Sequence, residues 1–465
     1  MNSSRRNFLR KTSLAGAGLA VAPIFSNAQG ITPPPATGAQ YMGDFVAPKL
    51  ETVRCAFIGV GARGSGHAQQ IAEIEGTEVV AICDLYEDWA KRSADVCVEK
   101  GKGNRHKNIA LYTGGENDWK KMLREVKPDA VFICTPWELH APMAIEAMKQ
   151  GAHAFVEVPL AITIKEMWDI VDTSEKTQKH CMMMENVNYG REELLYLNMC
   201  RQGVIGELLH GEAAYIHELR GQMNEVERGT GSWRTPHYAK RNGNLYPTHG
   251  LGPVAQYMNL GRGEDNFKRM VSFSSPAKGR QLYAAKNYDK DHKWNKFDYK
   301  GGDINTSIIK TTLGRTIMVQ WDETSPRPYT RHNLIQGTKG TLAGFPNRIA
   351  LEGGVGTATD SHHEWAEKDQ LLEMYEKYEH PLYVRLGELA KKMGGHGGMD
   401  FIMRYRIIEC LRKGQPIDQN VYEGCFWSAV GPLSEASVAQ DGDPQAFPDF
   451  TRGNWKNTKP LDVIG

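Results

Sequence analysis

One junction constrains this chain more than any other. The apolar stretch Val53-Arg54-Cys55-Ala56-Phe57-Ile58 reads as a strand. Gly59-Val60-Gly61-Ala62-Arg63-Gly64 follows at once, ahead of a helical stretch from His67 to Ile74. Glycines spaced G-x-G-x-x-G are weak evidence alone, but a strand-to-helix junction is the setting in which each has a physical reason. Gly59 permits the tight turn. Gly61 lets a pyrophosphate approach the backbone, and Gly64 lets the helix pack on the strand. The helix N-terminus, entered through Ala62 and Arg63, offers free N–H groups to phosphate. A second strand, Glu78 to Cys83, ends in Asp84, 20 residues after Gly64. A carboxylate there accepts hydrogen bonds from both ribose hydroxyls and repels a 2′-phosphate, so the expected ligand is NAD rather than NADP.

The alternation continues. Asp129 to Cys134 reads as a strand leading into Thr135-Pro136-Trp137-Glu138-Leu139-His140. Ala152 to Val156 leads into Glu157-Val158-Pro159. Strands and helices alternating at these lengths predict an α/β, doubly wound parallel sheet of the Rossmann kind over residues 51–160. The strand ends Gly59, Asp84, Thr135 and Glu157 should line one crevice. Residues 161–440 read differently. Thr163–Gln178 and Arg191–Gln202 are helical, and His180–Glu185 is strand-like. His210–Glu218, Ile304–Leu313 and Thr316–Trp321 are strands, several with alternation. Asp400–Leu411 is a helix with Asp400 as its expected N-cap. This predicts an α+β domain on an open, largely antiparallel sheet with a helical face. The polar, aromatic stretch 276–300 reads as an insertion or long loop, and 441–465 as a tail on the surface.

The N-terminus is an address. Ser4-Arg5-Arg6-Asn7-Phe8-Leu9-Arg10 is a twin-arginine pattern, followed by a mildly apolar stretch from Ser13 to Phe25 and by Ser26-Asn27-Ala28. It reads as a Tat signal peptide cleaved after Ala28, so a periplasmic protein exported folded by the Tat machinery is expected. Residues 29–50, with Pro33-Pro34-Pro35, read as an extended lead-in. Residues 1–28 carry four cations and no acid, so cleavage takes the net charge from +1 to −3. That balance gives no argument for a nucleic-acid partner. No apolar run reaches the roughly 18–20 residues a bilayer span needs. The eight cysteines include Cys55, Cys83 and Cys134 inside apolar runs. Folding in a reducing cytoplasm predicts buried thiols rather than a disulfide framework. No His/Cys cluster has zinc spacing, so no metal is expected.

Thr135-Pro136, His140 and the Glu157-x-Pro159 turn resemble the Gfo/Idh/MocA family of two-domain NAD(P)-dependent sugar oxidoreductases. The likeness narrows further on Trp137-Glu138-Leu139-His140, Glu185-Asn186-Val187-Asn188-Tyr189 and Trp233-Arg234. It narrows again on Tyr246-Pro247-Thr248-His249-Gly250-Leu251-Gly252-Pro253 and Gly395-His396-Gly397-Gly398-Met399-Asp400. These stretches resemble glycoside hydrolase family 109, whose founding activity is α-N-acetylgalactosaminidase. The resemblance implies that Trp137, Glu138, Leu139, His140, Glu157, Val158 and Asn186 join the glycine loop and Asp84 in holding NAD. It also implies that Tyr215, Trp233, Arg234, Tyr246, Pro247, Thr248, His249 and Tyr329 face the sugar, a small carbohydrate or terminal glycoside. A homo-oligomer is expected.

The departures from the parent family bear on the chemistry. Parent dehydrogenases usually carry Glu-Lys-Pro, where this chain has Val158. Their Asp-x-x-x-His is not legible either: Gly243 to Pro253 holds His249 and no Asp. Tyr189, Tyr246 and His249 remain for proton traffic. Ordinary glycosidases work with two carboxylates. The resemblance implies another route, in which tightly bound NAD is recycled within each turnover. The sugar is oxidised at C3, a base removes the acidified C2 hydrogen, and the glycosidic group leaves C1. Water then adds and the ketone is reduced, so the sum is hydrolysis without net redox. Three readings stay open: this glycosidase, a periplasmic sugar dehydrogenase with net redox turnover, and a non-catalytic NAD-bound carbohydrate binder.

Overall fold

The computed structural model describes residues 32–102, 105–355 and 363–462. The export signal expected over 1–28 lies outside them. The first sheet has six strands: β1 (Val53–Ile58), β2 (Thr77–Cys83), β3 (Ala110–Tyr112), β4 (Ala130–Ile133), β5 (His153–Val156) and β6 (Cys181–Met183). Their spatial order is β3-β2-β1-β4-β5-β6, and every neighbouring pair is parallel. β4 and β5 are buried along their whole length, as strands covered on both faces must be. Phe57, Phe132 and Phe155 share one register across β1, β4 and β5 and stack at 5.0 and 5.2 Å. The strand order reverses between β1 and β4, and that reversal opens a crevice at the carboxyl ends of the strands.

The second sheet has nine strands: β7 (Leu208–Ile216), β8 (Phe267–Ser274), β9 (Ile304–Thr311), β10 (Thr316–Asp322), β11 (Leu334–Gly337), β12 (Gly340–Ala343), β13 (Arg348–Leu351), β14 (Ala366–Glu367) and β15 (Gln445–Ala446). Their order is β14-β13-β12-β11-β7-β10-β9-β8-β15. Only β7 and β10 run parallel; the other pairs are antiparallel. In β9, Asn305, Ser307, Ile309 and Thr311 are buried in alternation, so one face meets the core. The helices Thr248–Tyr257 and Val421–Ala439 cover that face. The first lies flat on β7 because residue 250 is glycine: a Cβ there would come within 2.2 Å of the Ala214 nitrogen. This close seat brings the start of the helix against Tyr215.

Several expectations need correction. The strand near 181–183, assigned to the second half, is the sixth strand of the parallel sheet, so that sheet continues past residue 160. Residues 276–300 are not a bare loop: they hold the helix Gly279–Asn287 and a 3₁₀ turn, Lys293–Lys296, which packs Trp294 against Met223 and Ala284. The final segment, expected as a tail on the surface, is built into the second domain. It adds β15 to β8 and buries Phe447 and Phe450 beside Phe267 and Phe426. Asp400 is not the cap of its helix: Gly398, at φ 103°, holds that position, and Asp400 sits in the first turn. The helix expected at 163–178 forms over Ile164–Thr177, closed by a Thr163–Glu166 capping box. The eight cysteines are all free thiols, with Cys134 and Cys200 half-buried and the rest buried. Among the described residues no helix is long and apolar enough to cross a membrane.

Candidate active site

The carboxyl ends of β1, β2, β4 and β5 and residues 228–234 enclose a cleft of ≈ 640 Å³. Gly59, Asp84, Thr135 and Glu157 all line it, as their places at strand ends predict. Gly59 turns at φ +80°, and a Cβ on Gly64 would fall 1.9 Å from the Gly59 carbonyl oxygen, so the turn admits no side chain at 64. No side chain caps the helix Gly64–Ala72, which leaves its first N–H groups to an anion. Asp84 accepts from the Val60 N–H at 2.7 Å and the Tyr86 N–H at 2.8 Å. Burial pushes its carboxyl above the usual range against those two bonds. A bare glycine turn, an uncapped helix start and an acid ending β2 fit the pyrophosphate and ribose of NAD. Gly61 lines the cleft too, and its missing side chain also makes room for the Trp89 ring, which lies 2.8 Å from where a Cβ would be.

Arg63 is held on the cleft wall by two acids. Its Nη1 donates to Asp400 Oδ2 at 3.0 Å, and its Nε lies 3.5 Å from Glu157 Oε1. Asn186, expected among the NAD contacts, donates to Asp400 Oδ1 at 2.6 Å and so belongs to this support. Behind them His67 Nε2 meets Glu157 Oε1 at 2.6 Å, while its Nδ1 accepts from Arg404 Nε at 2.8 Å. That pairing fixes the tautomer with the proton on Nε2. Burial, with Arg404 adding to it, pulls His67 down to about 4. Glu157 is held below the usual carboxylate range: burial opposes ionisation, but Arg63 and His67 outweigh it. His67, Cys134 and Glu157 place one ligand atom each within 4.8 Å of one another. Arg63 and Arg404 already neutralise the acid there, and both His67 nitrogens are engaged, so the trio is an ion network rather than a metal cage.

His140 lines the cleft only in part. Its ring nitrogens face the carbonyl oxygens of Pro159 at 2.7 Å and Thr135 at 2.9 Å, tying the turn after β4 to the turn after β5. Trp137, Glu138, Leu139 and Val158 are on the lining.

The sugar-facing candidates gather at the other end. Trp233 and Arg234 line the cleft. The Arg234 guanidinium lies 4.8 to 5.3 Å from the ring centres of Tyr246, Trp233 and Trp137, and it donates to the Tyr246 hydroxyl at 3.4 Å. Behind them Tyr215, Tyr246 and His249 form a triangle of rings at 4.7, 5.0 and 5.2 Å. Tyr329 joins at its edge, 6.2 Å from Tyr215. Burial pushes the Tyr246 phenol above its ordinary range against the pull of Arg234. Pro247 is the N-cap of the helix Thr248–Tyr257, and Thr248 is buried with its hydroxyl unpartnered. His249 Nδ1 meets Glu185 Oε1 at 2.6 Å, and Glu185 is fully buried. Sequence reasoning missed Glu185, although Glu185-Asn186 is part of a stretch it singled out. Tyr189 does not join the group: its hydroxyl donates to Asp418 at 3.1 Å beside Arg406, and its ring lines a separate small cavity.

Residues 53–185 match the NAD-binding Rossmann fold of the oxidoreductase family, and residues 189–457 match the glycosyl hydrolase 109 C-terminal domain. A "Glycosyl hydrolase family 109 protein 1" from Akkermansia muciniphila is 64% identical over 485 residues, covering 100% of this chain and 99% of its own. A protein named alpha-N-acetylgalactosaminidase from Shewanella oneidensis is 54% identical over 467 residues, covering 100% and 99%. Among solved structures, levoglucosan dehydrogenase in complex with NADH and levoglucosan aligns at TM-score 0.63 and 17% identity, over 86% of this chain and 100% of that one. Scyllo-inositol dehydrogenase from Lactobacillus casei, with bound NAD(H) and scyllo-inositol, aligns at 0.57 and 13%, over 85% and 99%. The solved structures share the two-domain fold and the closer relatives share the whole chain: the protein belongs to glycoside hydrolase family 109.

Proposed function

We propose that the protein hydrolyses terminal α-N-acetylgalactosaminides or closely related glycosides, with NAD retained and recycled in each turnover. The observation that carries this reading is the His249–Glu185 pair beside Tyr246, packed behind a cleft whose Glu157 and Asp84 are already engaged. Among the described acids on the lining, Asp84, Glu157 and Glu138 are engaged and Glu116 stands alone, so a two-carboxylate glycosidase has no free pair there, and a dehydrogenase of the parent type lacks its lysine at Val158. When bound, NAD supplies reversible oxidation of a sugar hydroxyl to a ketone. His249, with Nδ1 on Glu185, presents Nε2 to take the proton from the oxidised hydroxyl and later to return it. The ketone acidifies the neighbouring C2–H, and loss of that proton expels the group at C1. Tyr246, which burial keeps in its neutral form and which lies in hydrogen-bond reach of Arg234, is the candidate hydrogen-bond donor to the charge that develops as C2 loses its proton. Arg234, Trp233, Tyr215 and Tyr329 supply a cation and ring faces to orient the sugar.

Incubated with p-nitrophenyl α-N-acetylgalactosaminide and no added NAD, the purified enzyme should release nitrophenol. Sugar product formed in D₂O should carry deuterium at C2. Hydrolysis with no label at C2, in protein stripped of nucleotide, would refute the reading; NADH accumulating in step with sugar would instead favour the dehydrogenase. The twin-arginine segment supports export to the periplasm, where no NAD pool serves and a retained cofactor is needed. Arg5→Lys/Arg6→Lys should leave the uncleaved precursor in the cytoplasm, as fractionation would read, and continued export would point to another route.

A further inference from the structure

The second domain reaches across the mouth of the cleft with one continuous segment, residues 225–240, and touches the first domain at three places. At one end the Arg228 guanidinium lies 4.9 Å from the Trp89 ring centre and 5.3 Å from that of Tyr86. It also donates to both carboxylate oxygens of Asp88 at 3.1 Å. In the middle Trp233 meets Trp137 edge to face at 5.2 Å. At the other end His237 Nε2 lies 3.1 Å from Glu138 Oε2. The three partners in the first domain belong to the cleft itself: Trp89 rests on Gly61 of the glycine turn, and Trp137 and Glu138 follow β4. Arg228, Gly229, Thr230 and Ser232 join the lining.

We propose that residues 225–240 form a strap that holds the dinucleotide in the cleft, with Arg228 as its retaining residue on the glycine-turn side. Three features favour this. Arg63 is committed to Glu157 and Asp400, so Arg228 is a cation on the lining whose only acid partner among the described residues, Asp88, is exposed and exchangeable. Stacking on Trp89 and Tyr86 orders a side chain that would otherwise be free at the surface. The segment lines the cleft while it touches the first domain on either side of it, so a nucleotide seated against the glycine turn would be covered by an interdomain contact. The proposal rests on the retention half of the function proposed above and is independent of the glycosidase step.

The test follows NAD release from purified holoenzyme after dilution into a scavenging dehydrogenase. Arg228→Ala should speed release by about tenfold or more, the scale of one lost charge-assisted contact. Arg228→Lys keeps the charge, loses the planar stack and should fall between. Asp88→Asn should make release less sensitive to salt than in the parent, because an exposed pair is screened. Thermal unfolding of the nucleotide-free proteins shows whether the fold is intact. If a variant is unstable, NADH binding and release by the parent at rising salt supplies the measurement instead. Release from Arg228→Ala as slow as from the parent would overturn the strap. Protein that purifies without nucleotide would overturn retention alone, since added NADH still reports the strap's effect on release.

Discussion

Replacing His249 by Ala should lower kcat by about 10²–10⁴-fold, the range general acid–base groups supply, while bound NAD stays at the parent level. The geometry says why the loss should be chemical. Glu185 is fully buried, and its second carboxylate oxygen has no partner. The His249 contact at 2.6 Å is therefore its main compensation, together with a longer bond from the Val187 N–H. A carboxylate on Nδ1 keeps the proton on that nitrogen and leaves Nε2 as the acceptor. Glu185→Gln keeps the shape and removes the charge, so it should reproduce much of the kcat loss with little change in KM. The double variant should be no slower than His249→Ala, because groups that act as a unit are not additive. Steady-state rates with a nitrophenyl glycoside, beside nucleotide content by chromatography, read all three variants. Full activity in Glu185→Gln would reduce that residue to packing, and full activity in His249→Ala would remove the imidazole from the mechanism.

The sequence revealed what is local. The glycine turn, Asp84 and the β-α alternation need only neighbours within about 30 residues, and they located the dinucleotide crevice. The alternation within Ile304–Leu313 located a strand but not its inner face, because three of the four positions that turn inward there are polar: Asn305, Ser307 and Thr311. What stayed hidden is set by distant partners. Glu185 reads as an ordinary acid after a strand until the chain brings His249, 64 positions on, against it. Asp400 has the residue type of a helix cap, but Arg63, 337 positions away, draws it into an ion network while a left-handed glycine ends the turn. Trp89 on Gly61 and Arg228 on Trp89 follow from helix and domain packing, which no spacing encodes. Tyr189 shows the converse error: a tyrosine in a suggestive motif finds a buried acid, Asp418, instead of the cleft. The polar look of 276–300 concealed Trp294, because one buried indole is enough to anchor a segment otherwise solvated.

That hidden network predicts the largest stability effect in the chain. Asp400 is 2% exposed and compensates Arg63 and Arg404, and Arg404 is itself 2% exposed. Burial pulls Arg404 below its ordinary range even with its acids in place, so removing one leaves a buried charge poorly compensated. Asp400→Leu should cost about 3–5 kcal/mol, the scale of a buried ion left without its partner. Asp400→Leu/Arg404→Met should recover part of that by removing the stranded charge. Acid should act on the same bonds. Asp400 and Glu157 are both held below their ordinary carboxylate range, by His396 and the arginines in one case and by Arg63 and His67 in the other. The native state therefore binds fewer protons than the unfolded chain, so this stabilisation is complete above about pH 5 and drains as pH falls. His67 adds to the slope in the same direction. Its imidazole, lowered from 6.5 to about 4 by burial, resists protonation in the fold, so stability declines between those two values as the unfolded chain takes up the proton. Denaturant unfolding of nucleotide-free protein, followed from pH 6 down through the ordinary carboxylate range, should show a steep loss in the parent and a shallower one in Asp400→Leu, the two diverging below about pH 5. Parallel slopes would mean that the network does not govern acid stability, and a cost within about 1 kcal/mol of zero would mean that Arg404 finds other compensation.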